Sequence, residues 1–182
     1  PDRLIFFPEL GHGCGGCAIL CPADAVSEIQ RPIGILERGK KGGLNFYQGL
    51  LDVGEPMSSP VIRALKSKVD GGTVIYDAPP GNACPMIETV QGSDFVLLVT
   101  EPTPFGLHDL KLAVDVVKEM DVPFGVVLNR QGVGDDRVER YCEQEGIPLM
   151  LSIPQDRRIA ELYSEGTPFV LEMEEDRERF LR

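Results

Sequence analysis

Two stretches of this chain carry residues whose types and spacing could do chemistry. The first is Thr73-Val-Ile-Tyr-Asp77-Ala-Pro-Pro-Gly81, where strand-favouring residues run into a carboxylate and then into a turn of proline and glycine. Ligands of a parallel α/β sheet gather where its strands end. That position would let Asp77 hold a Mg²⁺-bound water and let a backbone N–H at Gly81 come close to a phosphate. A buried strand followed by a turn accounts for the same residues, and both readings stand at this point. The second stretch is Gly11-His-Gly-Cys14-Gly-Gly-Cys17-Ala-Ile-Leu-Cys21-Pro22. Its tight spacing and glycines allow thiolates to converge on an iron–sulfur cluster while backbone N–H groups point at the sulfurs.

The spacing C-x₂-C-x₃-C-P is similar to the bacterial ferredoxin run C-x₂-C-x₂-C-x₃-C-P, with Gly11 in the place of the first cysteine. In ferredoxins with two clusters the last cysteine of the run ligates the other cluster. By that rule Cys14 and Cys17 share one 4Fe-4S cluster with a remote cysteine, and Cys21 serves its partner. The ligand set is incomplete within this chain, and a three-iron cluster, a ligand from His12 and a clusterless remnant stay open. Zinc is the competing metal, but a fourth ligand at zinc-finger spacing is not evident. A disulfide does not suit a chain with no secretory signal.

Elements must hold these residues in place. Ile29 to Gly54 reads as short strands, Ile33–Leu36 and Leu44–Tyr47, around a glycine-rich tip at Gly39-Lys-Lys-Gly-Gly43. Lys40 and Lys41 do not match G-x-x-x-x-G-K-[ST] and read as a solvated turn. Ala23–Ser27 reads as a short helix. Ser59-Pro60 caps another, with Ile62, Leu65 and Val69 as its apolar stripe and Gly71-Gly72 as its stop. Phe95–Val99 is a continuous apolar run suited to a strand buried on both faces. Helical spacing follows at Leu107, Leu110, Val114 and Val117, then a strand at Gly125–Leu128. A helix with Val138, Tyr141 and Cys142 ends at Gly146. A last strand, Pro148–Ile153, leads to a helix marked by Ile159, Leu162 and Tyr163. Strands alternating with helices of this length predict an α/β fold with a mostly parallel sheet. Three strand ends then carry polar residues that one ligand could meet: Asp77, Thr100-Glu101 and Asn129-Arg130. Asn129 has the donor and acceptor to pair with an adenine edge, although an asparagine satisfying its own turn is the commoner case. Glu101 and Asp109 read as cleft, partner-surface or solvated positions. His108 reads as a helix-start residue, and Cys84 and Cys142 as small buried hydrophobes.

Composition sets the outer limits. The chain has 182 residues, 42% hydrophobic and 26% charged, which suits one core or one core with an appendage. Its 18 basic and 29 acidic residues give a net charge of −11, which argues against nucleic acid as the main partner. Part of the acidic excess lies in Glu172–Arg182, read as a solvated terminal helix. No apolar run has the length of a membrane span and no signal peptide is visible, so the expected location is cytoplasmic.

Taken together, Asp77-Ala-Pro-Pro-Gly81, Leu98-Val-Thr-Glu-Pro-Thr-Pro-Phe-Gly-Leu-His-Asp-Leu110, Val127-Leu-Asn-Arg130 and Ile153-Pro-Gln-Asp156 resemble the MinD/ParA-type P-loop ATPases. The resemblance is greater to the subgroup with an inserted two-cluster ferredoxin domain, and it runs from about Pro8 to Gly166. It implies that Asp77 is the acid near Mg²⁺, acting through water and in hydrolysis, and that Pro80 and Gly81 lie by the γ-phosphate. Asn129 would read adenine, helped by the loop at Pro154 and Asp156, and Arg130 would belong to the nucleotide-binding residues. It further implies Mg-ATP as ligand, a homodimer, and a redox partner or cluster-accepting client. Residues 1–31 would be the second half of the ferredoxin-like insert, and 32–182 the C-terminal part of the ATPase domain. The Walker A lysine loop, a switch I aspartate and a first cysteine motif precede the insert in that family. The expectation is therefore an incomplete P-loop fold, the C-terminal part of a longer protein and inactive alone. The alternatives are a non-enzymatic iron–sulfur carrier or scaffold gated by nucleotide, or a decayed interaction module. In the family the P-loop strand lies between the strands matching Val74–Asp77 and Phe95–Thr100. These two strands are therefore expected to stay unpaired across an open slot, or the slot to be filled by collapse or by the segment Arg3–Phe7.

Overall fold

The computed structural model describes residues 5, 7, 11, 13–69 and 71–181. Arg3, Leu4 and Phe6 of the N-terminal segment and the candidate ligand His12 lie outside them. The chain divides into two compact units, Pro1–Ala78 and Pro79–Arg182.

In the first unit a short helix α1, Gly16–Ile19, carries the cysteine stretch. The expected helix at Ala23–Ser27 does not form. Pro22 supplies no N–H to continue a helix, and Asp24 turns to a φ of 48°. Strands β1, Gly34–Lys41, and β2, Leu44–Leu51, pair antiparallel through the two-residue turn Gly42-Gly43. Gly39 to Lys41, expected in the tip, are thus part of the ladder. Helix α2, Ser59–Lys66, packs on β2 and ends before Val69. Thr73–Pro79 has no regular structure, which corrects the expected strand at Val74–Asp77. A strand is stable by pairing its backbone with a neighbour, and no described residue pairs with this stretch.

The second unit is built around a parallel sheet of β3, Val96–Thr100, β4, Phe124–Gln131, and β5, Leu149–Pro154, in the order β3-β4-β5. The connecting helices are α4, Pro104–Glu119, and α5, Arg137–Glu145; α3, Cys84–Val90, precedes the sheet. Leu110, Val114 and Val117 of α4 meet Val96, Leu98, Val126 and Leu128 of the sheet. Met86 and Val90 of α3, Val138 and Cys142 of α5, and Ile147 complete this core. Full burial of each such side chain contributes about 1.5–3 kcal/mol. The chain is therefore α/β, with a three-stranded parallel sheet and a small antiparallel hairpin, consistent with part of a P-loop-type fold.

The continuous apolar run at Phe95–Val99 does not produce a strand buried on both faces. Leu97 and Val99 are 55% and 64% exposed, whereas Val96, Leu98 and Thr100 are buried. Helices cover one face here, and among the described residues β4 is the only strand paired with β3. No described residue pairs with the second edge of β3, and the segment Arg3–Phe7 expected to join it lies largely outside the described residues. Helix α6, Arg157–Ser164, follows β5, and its Tyr163 is exposed rather than packed. The C-terminal helix α7, Glu174–Phe180, is docked rather than wholly solvated: Phe180 meets Phe169 edge-on at 5.7 Å, and Asp176 is buried.

Candidate functional site

The C-terminal ends of β3, β4 and β5 carry a connected set of polar side chains. β4 and β5 stay in step at Leu128↔Ser152 and meet again at Gln131↔Pro154, so β4 spends one residue more than β5. This is a β-bulge at Asn129-Arg130, and Arg130 there takes a φ of 55°, in the left-handed region. Bulges re-aim side chains beside functional sites, and a non-glycine residue at positive φ costs on the order of 1 kcal/mol. The guanidinium that results from this turn reaches both neighbouring strands. Arg130 Nη1 donates to Glu101 Oε1 at 3.2 Å, and Arg130 Nε donates to Gln155 Oε1 at 3.0 Å. The Gln155 N–H also donates to the Gln131 carbonyl at 2.9 Å.

Asn129 is half-buried beside this contact. Its Oδ1 accepts the Arg130 N–H at 3.0 Å, while its NH₂ group has no partner among the described residues. Pro154 closes β5. Asp156 caps α6 by accepting the Arg158 N–H at 2.8 Å, and it also receives the Arg158 guanidinium at 2.8 Å. The Arg158 hydrogen bonds hold the Asp156 carboxyl below the usual carboxylate range. The loops behind the site touch backbone to backbone: a Cβ at Gly134 would lie 1.5 Å from the Pro102 carbonyl oxygen. Thr103 caps α4 through the Gly106 N–H, and the Thr100 hydroxyl donates to the Gly106 carbonyl at 2.9 Å.

The structure thus gathers Glu101, Asn129, Arg130, Pro154 and Asp156 at one sheet edge. Asp77 is exposed in the first unit, on the irregular stretch before the boundary. Pro80 and Gly81 open the second unit, and Gly81 has a φ of 103°, which only glycine adopts readily. His108 and Asp109 are exposed on α4. Cys142 is buried as expected, and burial pushes its thiol up; Cys84 is exposed at the start of α3, contrary to expectation. Sequence reasoning missed Gln155 as the partner of Arg130, although it lies inside Ile153-Pro-Gln-Asp156. It also missed Gly134, which no motif singles out.

At the cysteine stretch, Cys14 and Cys17 are exposed and Cys21 is half-buried. The Gly15 N–H donates to Glu28 Oε1 at 3.0 Å. The Ala25 N–H donates to Cys21 Sγ at 3.3 Å and, with smaller help from the neighbouring amides, holds that thiol below its ordinary range. Among the described residues no three of His, Cys, Asp or Glu are gathered to hold one metal. The three thiols therefore do not fit a complete cluster site by themselves. No described helix is long and apolar enough to cross a membrane.

No protein-family model matches the chain. An uncharacterised protein of Methanocaldococcus jannaschii, MJ0579, is 30% identical over 172 residues, covering 93% of this chain and 60% of that protein. A second from the same organism, MJ0578, is 33% identical over 150 residues, covering 67% of this chain and 54% of that protein. The iron-sulfur cluster carrier protein of Pyrococcus horikoshii is 28% identical over 134 residues, covering 64% of this chain and 45% of that protein. The chain therefore spans between 45% and 60% of the length of these relatives. Similar proteins of the same description occur in Pyrococcus furiosus and Aquifex aeolicus. By these matches the chain is a distant relative of the iron-sulfur cluster carrier proteins and of MJ0579.

Proposed function

We propose that this chain is the C-terminal part of a MinD-like, ATP-binding and hydrolysing protein whose nucleotide switch governs iron–sulfur clusters, as electron carriers or as cargo for a client. The observation that carries the proposal is the convergence of Glu101, Asn129-Arg130 and Pro154–Asp156 at the ends of three adjacent parallel strands. Ligands of such sheets bind there. The relation to iron-sulfur cluster carrier proteins supports the same reading.

In this reading the half-buried Asn129 offers its free NH₂ and the second lone pair of Oδ1 to the adenine edge. Pro154 and the capped start of α6 at Asp156 form the wall beside the base. Asp77 holds a Mg²⁺-bound water near the phosphates, and Gly81 brings its N–H to the γ-phosphate. The sequence G-x-x-x-x-G-K-[ST] does not occur in residues 1–182, so the strongest phosphate contacts come from elsewhere in the working protein. Residues 1–31 belong to a ferredoxin-like insert in which Cys14, Cys17 and Cys21 each contribute to ligand sets completed by other cysteines. In the whole protein the cluster is cargo or electron carrier. A homodimer and a cluster-accepting or redox partner complete the proposal.

The test is a ¹H–¹⁵N NMR titration of this chain with Mg-ATP and, separately, Mg-GTP. ATP should move the signals of Asn129 and of residues 155–158 with a Kd of about 1 mM, equivalent to about −4 kcal/mol. GTP should leave them in place. No response to ATP at these residues, or an equal response to GTP, overturns the base-reading assignment. A second reading, a non-enzymatic carrier gated by nucleotide, is favoured by the carrier description of the Pyrococcus relative. In the complete polypeptide, Asp77→Asn separates the two. Lost ATP turnover with lost cluster transfer supports the switch, and undiminished transfer supports the carrier.

A further inference from the structure

The clearest unexplained feature of the strand ends is the conformation of Arg130. A residue with a Cβ occupies the left-handed region at a bulge, where glycine or asparagine would be the usual choice. Its side chain is 48% exposed, yet its guanidinium is engaged by protein partners. It bridges Glu101, after β3, and Gln155, after β5, while its own N–H is taken by Asn129 Oδ1. One residue thereby ties the ends of all three strands together.

Building on the proposed base-reading site, we infer that Arg130 is a positioning residue that sets the aim of Asn129 and so governs discrimination between adenine and guanine bases. Three linked constraints carry the inference. The bulge rotates β4 by one residue between Leu128 and Gln131, which decides the direction in which Asn129 leaves the strand. The hydrogen bond from the Arg130 N–H fixes the Asn129 carboxamide plane, leaving its NH₂ group unpartnered. The fork from Nη1 to Glu101 and from Nε to Gln155 holds the bulge against relaxation to regular extended backbone. A carboxamide reads a base edge only when donor and acceptor both lie in the plane of that edge. A loosened bulge would leave Asn129 present but misaimed. The bound base would then be held by stacking and shape, which purines share. Arg130 therefore acts through Asn129 and needs no contact with the nucleotide.

Glycine at 130 keeps the left-handed backbone while deleting the guanidinium, so Arg130→Gly separates the fork from the turn. The experiment repeats the ATP and GTP titrations on this chain with Arg130→Gly, Arg130→Lys and Glu101→Ala. Arg130→Gly and Glu101→Ala should lower the ATP-over-GTP preference by about fivefold or more, the lower end for one correctly paired base edge. They should also shift the Asn129 side-chain NH₂ resonances before nucleotide is added. Arg130→Lys, which reaches one partner but not both, should recover part of the preference lost in Arg130→Gly. If Arg130→Gly keeps the original preference and the original Asn129 NH₂ resonances, the inference is overturned while base reading by Asn129 stands. If the unmodified chain shows no ATP response at Asn129, base reading fails, and the role of Arg130 falls with it.

Discussion

Replacing Gly134 with alanine tests the backbone contact on which the strand-end site rests. A Cβ at this position would lie 1.5 Å from the Pro102 carbonyl oxygen and 2.7 Å from its carbonyl carbon, against 3.4 Å or more for ordinary contact. Pro102 is buried, and the obstacle is backbone, so no side-chain rotation relieves the clash. One loop must retreat by about 2 Å, far beyond the latitude of the hydrogen bonds that seat Glu101 and Arg130. Overpacking in general costs about 1–3 kcal/mol, and a backbone obstacle places this substitution near the top of that range. For a unit of this size 1 kcal/mol moves the melting temperature by about 4–8 °C, so Gly134→Ala should lower it by more than about 10 °C. Thermal unfolding followed by circular dichroism measures the shift. Gly132→Ala is the control: its φ of 98° is strained for alanine, but nothing lies within 4 Å of the added Cβ. Its cost should be about 1 kcal/mol, for the backbone alone. A Gly134→Ala protein no less stable than Gly132→Ala would refute the contact.

Two further outcomes are expected. Because hydrogen bonds from Arg158 depress the Asp156 carboxyl in the folded chain, its contribution is present above the unfolded pKa and fades as pH falls through the folded one. ¹³C shifts of Arg158–Glu161 should therefore lose helical character only below about pH 4, the ordinary carboxylate range, and Asp156→Asn should remove that dependence. Anaerobic reconstitution of this chain should leave substoichiometric, readily chelated iron, because its three clustered thiols are not gathered into one set. A stable four-iron spectrum at full occupancy from the chain alone would contradict that.

What the sequence revealed and what it concealed divide along physical lines. The stripe Leu110, Val114 and Val117 was legible because helical period and burial coincide, and the structure packs these residues on the sheet. The strand at Val74–Asp77 was misread for a reason internal to strands. Its residues favour extended backbone, but extended backbone becomes a strand only with a partner, and none is described here. Phe95–Val99 misled in the same way, since a uniform apolar run reports hydrophobicity and not which face is covered. At the candidate site, Glu101, Asn129 and Arg130 were visible as polar residues at strand ends, and Pro154 and Asp156 only through the family resemblance. The link among them was not visible, because a left-handed arginine leaves no compositional trace, unlike a glycine or asparagine at the same turn. Cys84 was placed inside by residue type, and its position at a helix start overrides that preference.

The strand order β3-β4-β5 is also the order of the sequence, and this bears on how the second unit comes into being. Each ladder joins consecutive strands across a single helix, so neither closure must await a distant part of the chain. Closing a loop of this length costs little more than closing a shorter one, since the entropy grows only with the logarithm of length. Contacts made early among near neighbours are the kind that speed folding. Residues 96–154 therefore contain every strand needed to close both ladders. The bulge at Asn129-Arg130 forms with the second of these ladders, so the strand-end cluster is assembled as part of that folding step and not added after it.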